Sequence, residues 1–165
     1  MLKEKNNIFE TLEQNCCFDL QFRQDIRHER VGSPTYYRWK VQFVVTLPKE
    51  KIKELKKIKN VLVCGSITTD KNQARLSVQK QEDINSLILP FFTKNKLNGV
   101  KKKDFELWQK AVSVILANKR KPITKWKKSE LLSLFHIHKS IAKYKNHPRQ
   151  AKWMEMAKTI ANIPC

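Results

Sequence analysis

Tyr36-Tyr37-Arg38-Trp39-Lys40-Val41-Gln42-Phe43-Val44-Val45-Thr46-Leu47 is the stretch that decides the fold class. Side chains along a strand point alternately to the two faces of its sheet. Tyr37, Trp39, Val41, Phe43 and Val45 therefore share one face, and Tyr36, Arg38, Lys40 and Gln42 share the other. Pro48 ends the run, since it has no N–H to give to a ladder.

Three further runs alternate in the same way. In Cys17–Arg27, Phe18, Leu20 and Phe22 face one side, and Asp19, Gln21 and Arg23 the other. Val61–Thr69 reads as a third strand and Thr69-Asp70-Lys71-Asn72 as a turn. In Gln73–Lys80, Ala74, Leu76 and Val78 alternate with Arg75, Ser77 and Gln79. Gly32-Ser33-Pro34 marks the connection between the first two strands.

Helical spacing fills the gaps. Asn6–Gln14 carries Ile8, Phe9 and Leu12 behind Asn6 or Asn7 as a cap, and Lys49–Lys59 carries Ile52, Leu55 and Ile58. Glu82–Leu89 reads as a short helix closed by Pro90, and Thr93–Lys103 as a basic loop. Asp104–Asn118 is a strong helix, and Lys127–Tyr144 and Arg149–Asn162 are two more around Pro148. The pattern predicts an α+β fold, helix-strand-strand-helix-strand-strand-helix, with extra C-terminal helices. Residues 1–147 form one domain and 148–165 a helical extension.

Lys and Arg number 34 against 15 Asp and Glu, a net charge of +19 on 165 residues, which favours a polyanionic partner. With 41% hydrophobic residues the chain can bury a core. No apolar run is long enough to span a bilayer, and Met1-Leu2-Lys3-Glu4-Lys5 lacks the apolar core of a secretory signal. Cys16, Cys17, Cys64 and Cys165 make no Cys-x-x-Cys pair, which argues against a zinc ribbon and for free thiols in a reducing compartment. Richness in Lys, Asn and Ile hints at an AT-rich, organellar coding genome, with the mitochondrion favoured over the chloroplast.

Other chemistry finds little support. His136 and His138, two apart on a helix, fall on different faces, and His28 and His147 have no ligand spacing. Trp39 and Trp108 take core positions, whereas Trp126 and Trp153 lie in basic segments and either stack on bases or, the commoner role, pack. No Walker motif, nucleophile elbow or hydrolase triad is present.

Several strings, in order and at fitting spacing, resemble the LAGLIDADG homing-endonuclease family. Cys17-Phe18 opens the first strand where that family has a small residue and an aromatic. Val63-Cys64-Gly65-Ser66-Ile67 is similar to its Gly-x-Ile strand start. Ile88-Leu89-Pro90-Phe91-Phe92, then Leu97 and Lys101-Lys102-Lys103-Asp104-Phe105-Glu106-Leu107-Trp108, is similar to its Ile-Pro-Phe-Phe and Lys-x-x-Asp-Phe-x-x-Trp region. The resemblance runs from Ile8 to Tyr144. It implies a saddle: a curved four-stranded antiparallel sheet whose polar face lies in a nucleic-acid groove. The binding surface would then be Gln21, Arg23, Arg38, Lys40, Gln42, Arg75, Ser77 and Gln79, since Arg and Lys pair with guanine and Gln with adenine. Lys101, Lys102 and Lys103 would meet phosphates. Lys94, Lys96, Lys119, Arg120 and Lys121, followed by Lys125, Lys127 and Lys128, would extend the track.

The family's nine-residue signature falls on Ile8–Cys16, Ile-Phe-Glu-Thr-Leu-Glu-Gln-Asn-Cys, and here the pattern breaks. Its small helix-crossing positions match Glu10 and Gln14, which argues against a homodimer through this helix, because bulk and like charge would meet. Its acidic metal ligand matches Asn15, and a neutral amide is a poor ligand for Mg²⁺. A slip of the alignment would bring in Glu13 or Asp19 instead. The expectation is therefore a cleavage-inactive nucleic-acid-binding protein without a metal cofactor. Its partners would be structured RNA, in preference to DNA, and other proteins of a ribonucleoprotein such as a ribosome; an intron maturase is the sister reading. The alternative is an active homodimeric endonuclease making Mg²⁺-dependent double-strand cuts in DNA. A third reading has the basic track meeting an acidic protein.

Overall fold

The computed structural model describes residues 2–25, 31–32, 35–141 and 151–162. Helix α1 (Leu2–Asn15) leads directly into strand β1 (Cys16–Asp25). Strand β2 (Tyr36–Pro48) passes through a 3-10 turn, Lys49–Lys51, into α2 (Ile52–Leu62). Strands β3 (Ser66–Thr69) and β4 (Gln73–Val78) follow, then α3 (Gln81–Asp83), a π-helical segment (Ile84–Ile88) and α4 (Leu89–Lys94). The rest is helical: α5 (Gly99–Ala117), a 3-10 turn (Ile123–Lys125), α6 (Lys128–Ser140) and α7 (Ala151–Ile160). The fold is α+β, with one four-stranded antiparallel sheet in the order β1-β2-β4-β3. The expected domain boundary at 147/148, and the helix ends expected at Tyr144 and Arg149, lie outside the described residues, as does the strand end expected at Arg27.

Four expectations are corrected. Val61 and Leu62 belong to α2, so β3 is only Ser66–Thr69. Leu62 extends the buried spacing Leu55-Ile58-Leu62, and this burial outweighs the strand preference of the flanking valines. Val63 then turns left-handed at φ 58°, its N–H bonding to the Lys59 carbonyl at 2.8 Å. Gly65, at φ +91°, has no room for a side chain: a Cβ would lie 2.9 Å from Leu76 Cδ1.

Pro90 does not close a helix. The chain stays helical from Gln81 to Lys94. The widened π segment, in which the Leu89 N–H bonds to the Ile84 carbonyl, ends just before the proline, and its register shift accommodates a residue that has no N–H to give. Lys101, Lys102 and Lys103 are likewise not in a loop but in the opening turns of α5, which starts at Gly99. Strand β4 stops at Val78, leaving Gln79 and Lys80 beyond it.

The chain divides into two compact units, Met1–Asp19 with Gln42–Phe105 and Leu20–Val41 with Glu106–Cys165. In the first, β4 pairs with β2 through Phe43↔Val78, Val45↔Leu76 and Leu47↔Ala74, and with β3 through Ile67↔Leu76, so the apolar residues stand side by side. A cluster of four rings fills its core: Phe18 lies 5.5, 5.2 and 5.2 Å from Phe43, Phe92 and Phe105. Truncating one such ring to alanine costs about 3–5 kcal/mol. In the second unit Phe22 packs 5.1 Å from Trp39, which meets the buried His138 of α6 edge-on at 6.1 Å. Trp108 is fully buried, so Trp39 and Trp108 are core residues as expected.

Candidate nucleic-acid interface

Strand β4 gives the clearest surface. Ala74, Leu76 and Val78 are buried, while Gln73 and Arg75 are exposed and Ser77 is half-buried. The register places Arg75 between Thr46 of β2 and Thr68 of β3, and Ser77 between Val44 and Ser66. Gln79 is exposed just past the strand. The row therefore includes Gln73, Ser66, Thr68 and Thr46, which the sequence reading did not single out. Their alternation was visible, but which strands are neighbours was not.

Gln42 and Asp19, in the same unit, behave differently. The Gln42 Nε2 donates to Asp19 Oδ2 at 2.5 Å, and the two residues are 4% and 0% exposed. The polar position at Gln42 is therefore corrected: its amide is committed to a buried carboxylate rather than presented for reading. Asp19 is equally committed and does not present a metal ligand.

In the second unit, Arg23 is exposed, and Arg38 and Lys40 are half-buried. Asp25 Oδ2 lies 3.6 Å from Arg38 Nε and holds the guanidinium. Gln21 is only 6% exposed, so its place on an open face is corrected too: burial extends across both sides of β1 there. Lys119, Arg120 and Lys121 are exposed in the turn after α5. Trp126 Nε1 donates to the Lys121 carbonyl at 3.1 Å, so this indole braces the basic turn. The Trp153 side chain, His28 and His147 lie outside the described residues.

The remaining basic candidates sit in the first unit. Lys94, Lys96, Lys102 and Lys103 are exposed. Lys101 is half-buried, and its Nζ donates to the Cys16 carbonyl at the C-terminal end of α1, where the helix dipole favours a cation. Burial pushes the Cys16 thiol up to about 12, with nearby Lys101 pulling the other way, and pushes Cys64 up to about 11. Neither is a thiolate available to a metal or a substrate at neutral pH. Cys16, Cys17 and Cys64 are not in disulfides.

A divalent metal does not fit the end of α1. Asn15 Nδ2 donates to the Thr11 carbonyl at 2.9 Å, and Glu13 Oε1 accepts the Asn98 backbone N–H at 2.7 Å. Among the described residues no three His, Cys, Asp or Glu side chains come together in a way that could hold a metal ion. Nor, among them, is any helix long and apolar enough to cross a membrane. Along α1, Asn7, Glu10 and Gln14 are exposed, and a groove of about 800 Å³ is lined by this helix and by α2, which pack against each other.

Residues 17–112 match the sequence family described as LAGLIDADG endonuclease. No curated protein matches the chain in sequence. Among solved structures, the homing endonuclease I-TnaI superposes with a TM-score of 0.72 at 18% identity, over 92% of this chain and 96% of its own. The LAGLIDADG homing endonuclease I-GzeII, in complex with its DNA target, gives 0.69 at 22% identity, over 82% of this chain and 44% of its own. I-SmaMI, bound to uncleaved DNA target in the presence of calcium ions, gives 0.68 at 21%, over 87% and 46%. The chain thus spans nearly all of I-TnaI and less than half of the other two.

Proposed function

The chain belongs to the LAGLIDADG endonuclease family, and from that premise we propose that it is a nucleic-acid-binding member that does not cleave. One observation carries the reading. The last residue of α1, where the family resemblance puts an acidic metal ligand, is Asn15, whose amide is turned back onto its own helix. The carboxylates within a slip of two to four residues are also engaged, Glu13 by a backbone N–H and Asp19 by Gln42. Hard divalent cations take anionic oxygens, so a site built on Asn15 alone binds Mg²⁺ poorly. No metal cofactor belongs to this reading.

Binding, by contrast, keeps its chemistry. Gln73, Arg75 and Ser77 line one strand beside Thr46 and Thr68, with Gln79 just past its end, and Arg23, Arg38 and Lys40 carry the same residue types in the other unit. Net charge of +19 supplies the counterion release that dominates nucleic-acid affinity. A binder freed from cutting DNA suits structured RNA, and the chain acts as a component of an organellar ribonucleoprotein such as a mitochondrial ribosome, or as an intron maturase, among other proteins. Glu10 and Gln14 on the outer side of α1 oppose a homodimer through that helix.

Incubation with Mg²⁺ and a library of duplex sites tests this reading. The expected result is binding without specific double-strand cuts. Cutting that Asn15→Ala abolishes would instead establish an active homodimeric endonuclease. Crosslinking in the native setting is expected to recover RNA; recovery of DNA alone would overturn the choice of RNA.

A further inference from the structure

The first unit is cationic on two opposite sides, and the sheet face accounts for only one of them. Helix α2 packs on β3 and β4 with Leu55, Ile58 and Leu62 buried. The residues it covers are on the face of Ala74, Leu76 and Val78, which are buried, so it lies on the side of the sheet away from Arg75 and Ser77. At 100° per residue, Lys53, Lys56, Lys57 and Asn60 fall on the side of α2 opposite that apolar stripe, and all four are exposed. Lys49 continues the row. Its backbone N–H bonds to the Asn72 carbonyl at 3.1 Å, which brings the β3–β4 turn, with exposed Lys71, to the start of the stripe.

Charge balance makes the row a surface rather than a set of paired side chains. Residues 49–60 hold six lysines against two glutamates, a net charge of +4. Among the described residues, Lys49, Lys53, Lys56, Lys57 and Lys71 form no ion pair with a carboxylate. Glu54, the acidic residue of α2, lines the groove toward α1 together with Lys57 and Asn60, at the edge of the stripe, while Lys53 and Lys56 lie outside that groove. The stripe presents no aromatic ring and only one side-chain amide, Asn60, among five lysines, so its chemistry is chiefly that of phosphate contact.

We infer that Lys49, Lys53, Lys56, Lys57 and Lys71 form a second RNA-backbone surface, so that one chain bridges two RNA helices. The inference rests on the RNA-binding reading of the sheet face and extends it. A rigid duplex held against Arg75 cannot also reach the far side of α2, so the stripe's phosphates come from a second helical segment. That arrangement serves the assembly of a folded RNA and has no use in a single cut.

A short RNA hairpin, too small to wrap the protein, is the probe, with a DNA duplex of the same length and poly-glutamate as the other arms. Two hairpins are expected to bind per chain in sedimentation. Lys53→Gln/Lys56→Gln/Lys57→Gln should reduce this to one, and the salt slope of overall RNA binding should fall by about three. The triple Lys→Arg variant should keep both sites, and an unchanged circular-dichroism melting curve shows that the Gln variant is folded. One hairpin per chain, with the Gln variant unaffected, overturns the inference and leaves the sheet-face reading standing. Binding lost wholly in the Gln variant but untouched in Arg75→Gln overturns the sheet-face reading and with it the bridge, leaving the stripe as a single RNA surface. DNA bound at the stripe in preference to RNA, or poly-glutamate bound there when RNA is not, overturns the choice of partner.

Discussion

Strands β1 and β4 carry almost the same sequence pattern and put it to different uses. In β4 every second residue is apolar and buried, and of the residues between, Gln73 and Arg75 are exposed and Ser77 is half-buried. In β1 the polar positions Asp19 and Gln21 are as buried as their apolar neighbours, and only Arg23 is exposed. Alternation announces a strand. Whether its polar side is open depends on what surrounds it, and an edge place in the sheet order does not leave β1 bare. On this contrast, Asp19 and Gln21 of β1 are taken up by the fold, while Gln73 and Arg75 of β4 stay exposed, as the proposed binding surface requires.

Breaking the buried pair should have the largest effect. Asp19→Ala leaves the Gln42 amide without its carboxylate in a site 4% exposed, and a buried hydrogen bond to a charged group is worth about 1.5–3 kcal/mol. Urea denaturation should show a loss near 3 kcal/mol, and a loss below about 0.5 kcal/mol would erase the contrast. Arg75→Gln is the converse. Its stability should stay within about 0.5 kcal/mol of the parent. RNA affinity should fall roughly tenfold, and the salt slope by about one. A destabilised Arg75→Gln with unchanged affinity would make β4 structural as well.

Much of this was legible in the sequence. The αββαββα order, the apolar faces of β2 and β4, and Trp39 and Trp108 as core follow from periodicity alone. What failed were places where local and tertiary preferences conflict. Val61 and Val63 favour a strand, but Leu62 gains more by completing the stripe of α2. A proline usually stops a helix, but the π segment before Pro90 shifts the register to accommodate it. Gln42 looked like a reader because its partner, Asp19, is 23 residues away, and no local rule pairs them. Asn15 was legible by resemblance; that its amide closes on Thr11 was not.

The adjacent thiols at the start of β1 sharpen the contrast with a smaller effect. Cys16 is 1% exposed and Cys17 half-buried, so the pair samples the two sides of one strand. Folded values of about 12 for Cys16 and 11 for Cys64, above the ordinary 9.0, mean that the folded chain keeps both protons longer than the unfolded one. Their contribution is intact below pH 9 and is lost as pH rises toward 11 and 12. At pH 9.5 each buried thiol should already cost just under about 1 kcal/mol of stability. Cys16→Ala should flatten that alkaline loss in denaturation curves taken from pH 8 to 10. Alkylation of the native protein at pH 8 should reach Cys17 before Cys16, and equal labelling would mean that β1 is open on both sides.

Glu130 gives the smallest effect and tests the rule from the opposite direction, because it is a charge that serves the fold without being buried. The Asn118 side chain, followed by the Lys127 backbone N–H at 3.0 Å from its Oε2, holds the carboxyl below its ordinary range. The bond secures the first turn of α6, whose inner side carries Leu134 and His138 into the second unit's core. A lowered folded value means that the contribution is present at neutral pH and is lost as pH falls through and below the ordinary carboxylate range. Glu130→Gln should therefore lower the thermal midpoint at pH 7, and the difference from the parent should shrink as pH falls below the ordinary carboxylate range. RNA affinity should not change, or should rise slightly as a negative charge is removed from a basic chain. A Glu130→Gln variant that melts like the parent at pH 7 would leave exposure as the sole guide to which charges bind. With the expected result, charge alone does not mark a residue for the proposed binding surface: Arg75 is exposed and has no ion pair among the described residues, whereas Glu130 is engaged by the first turn of α6.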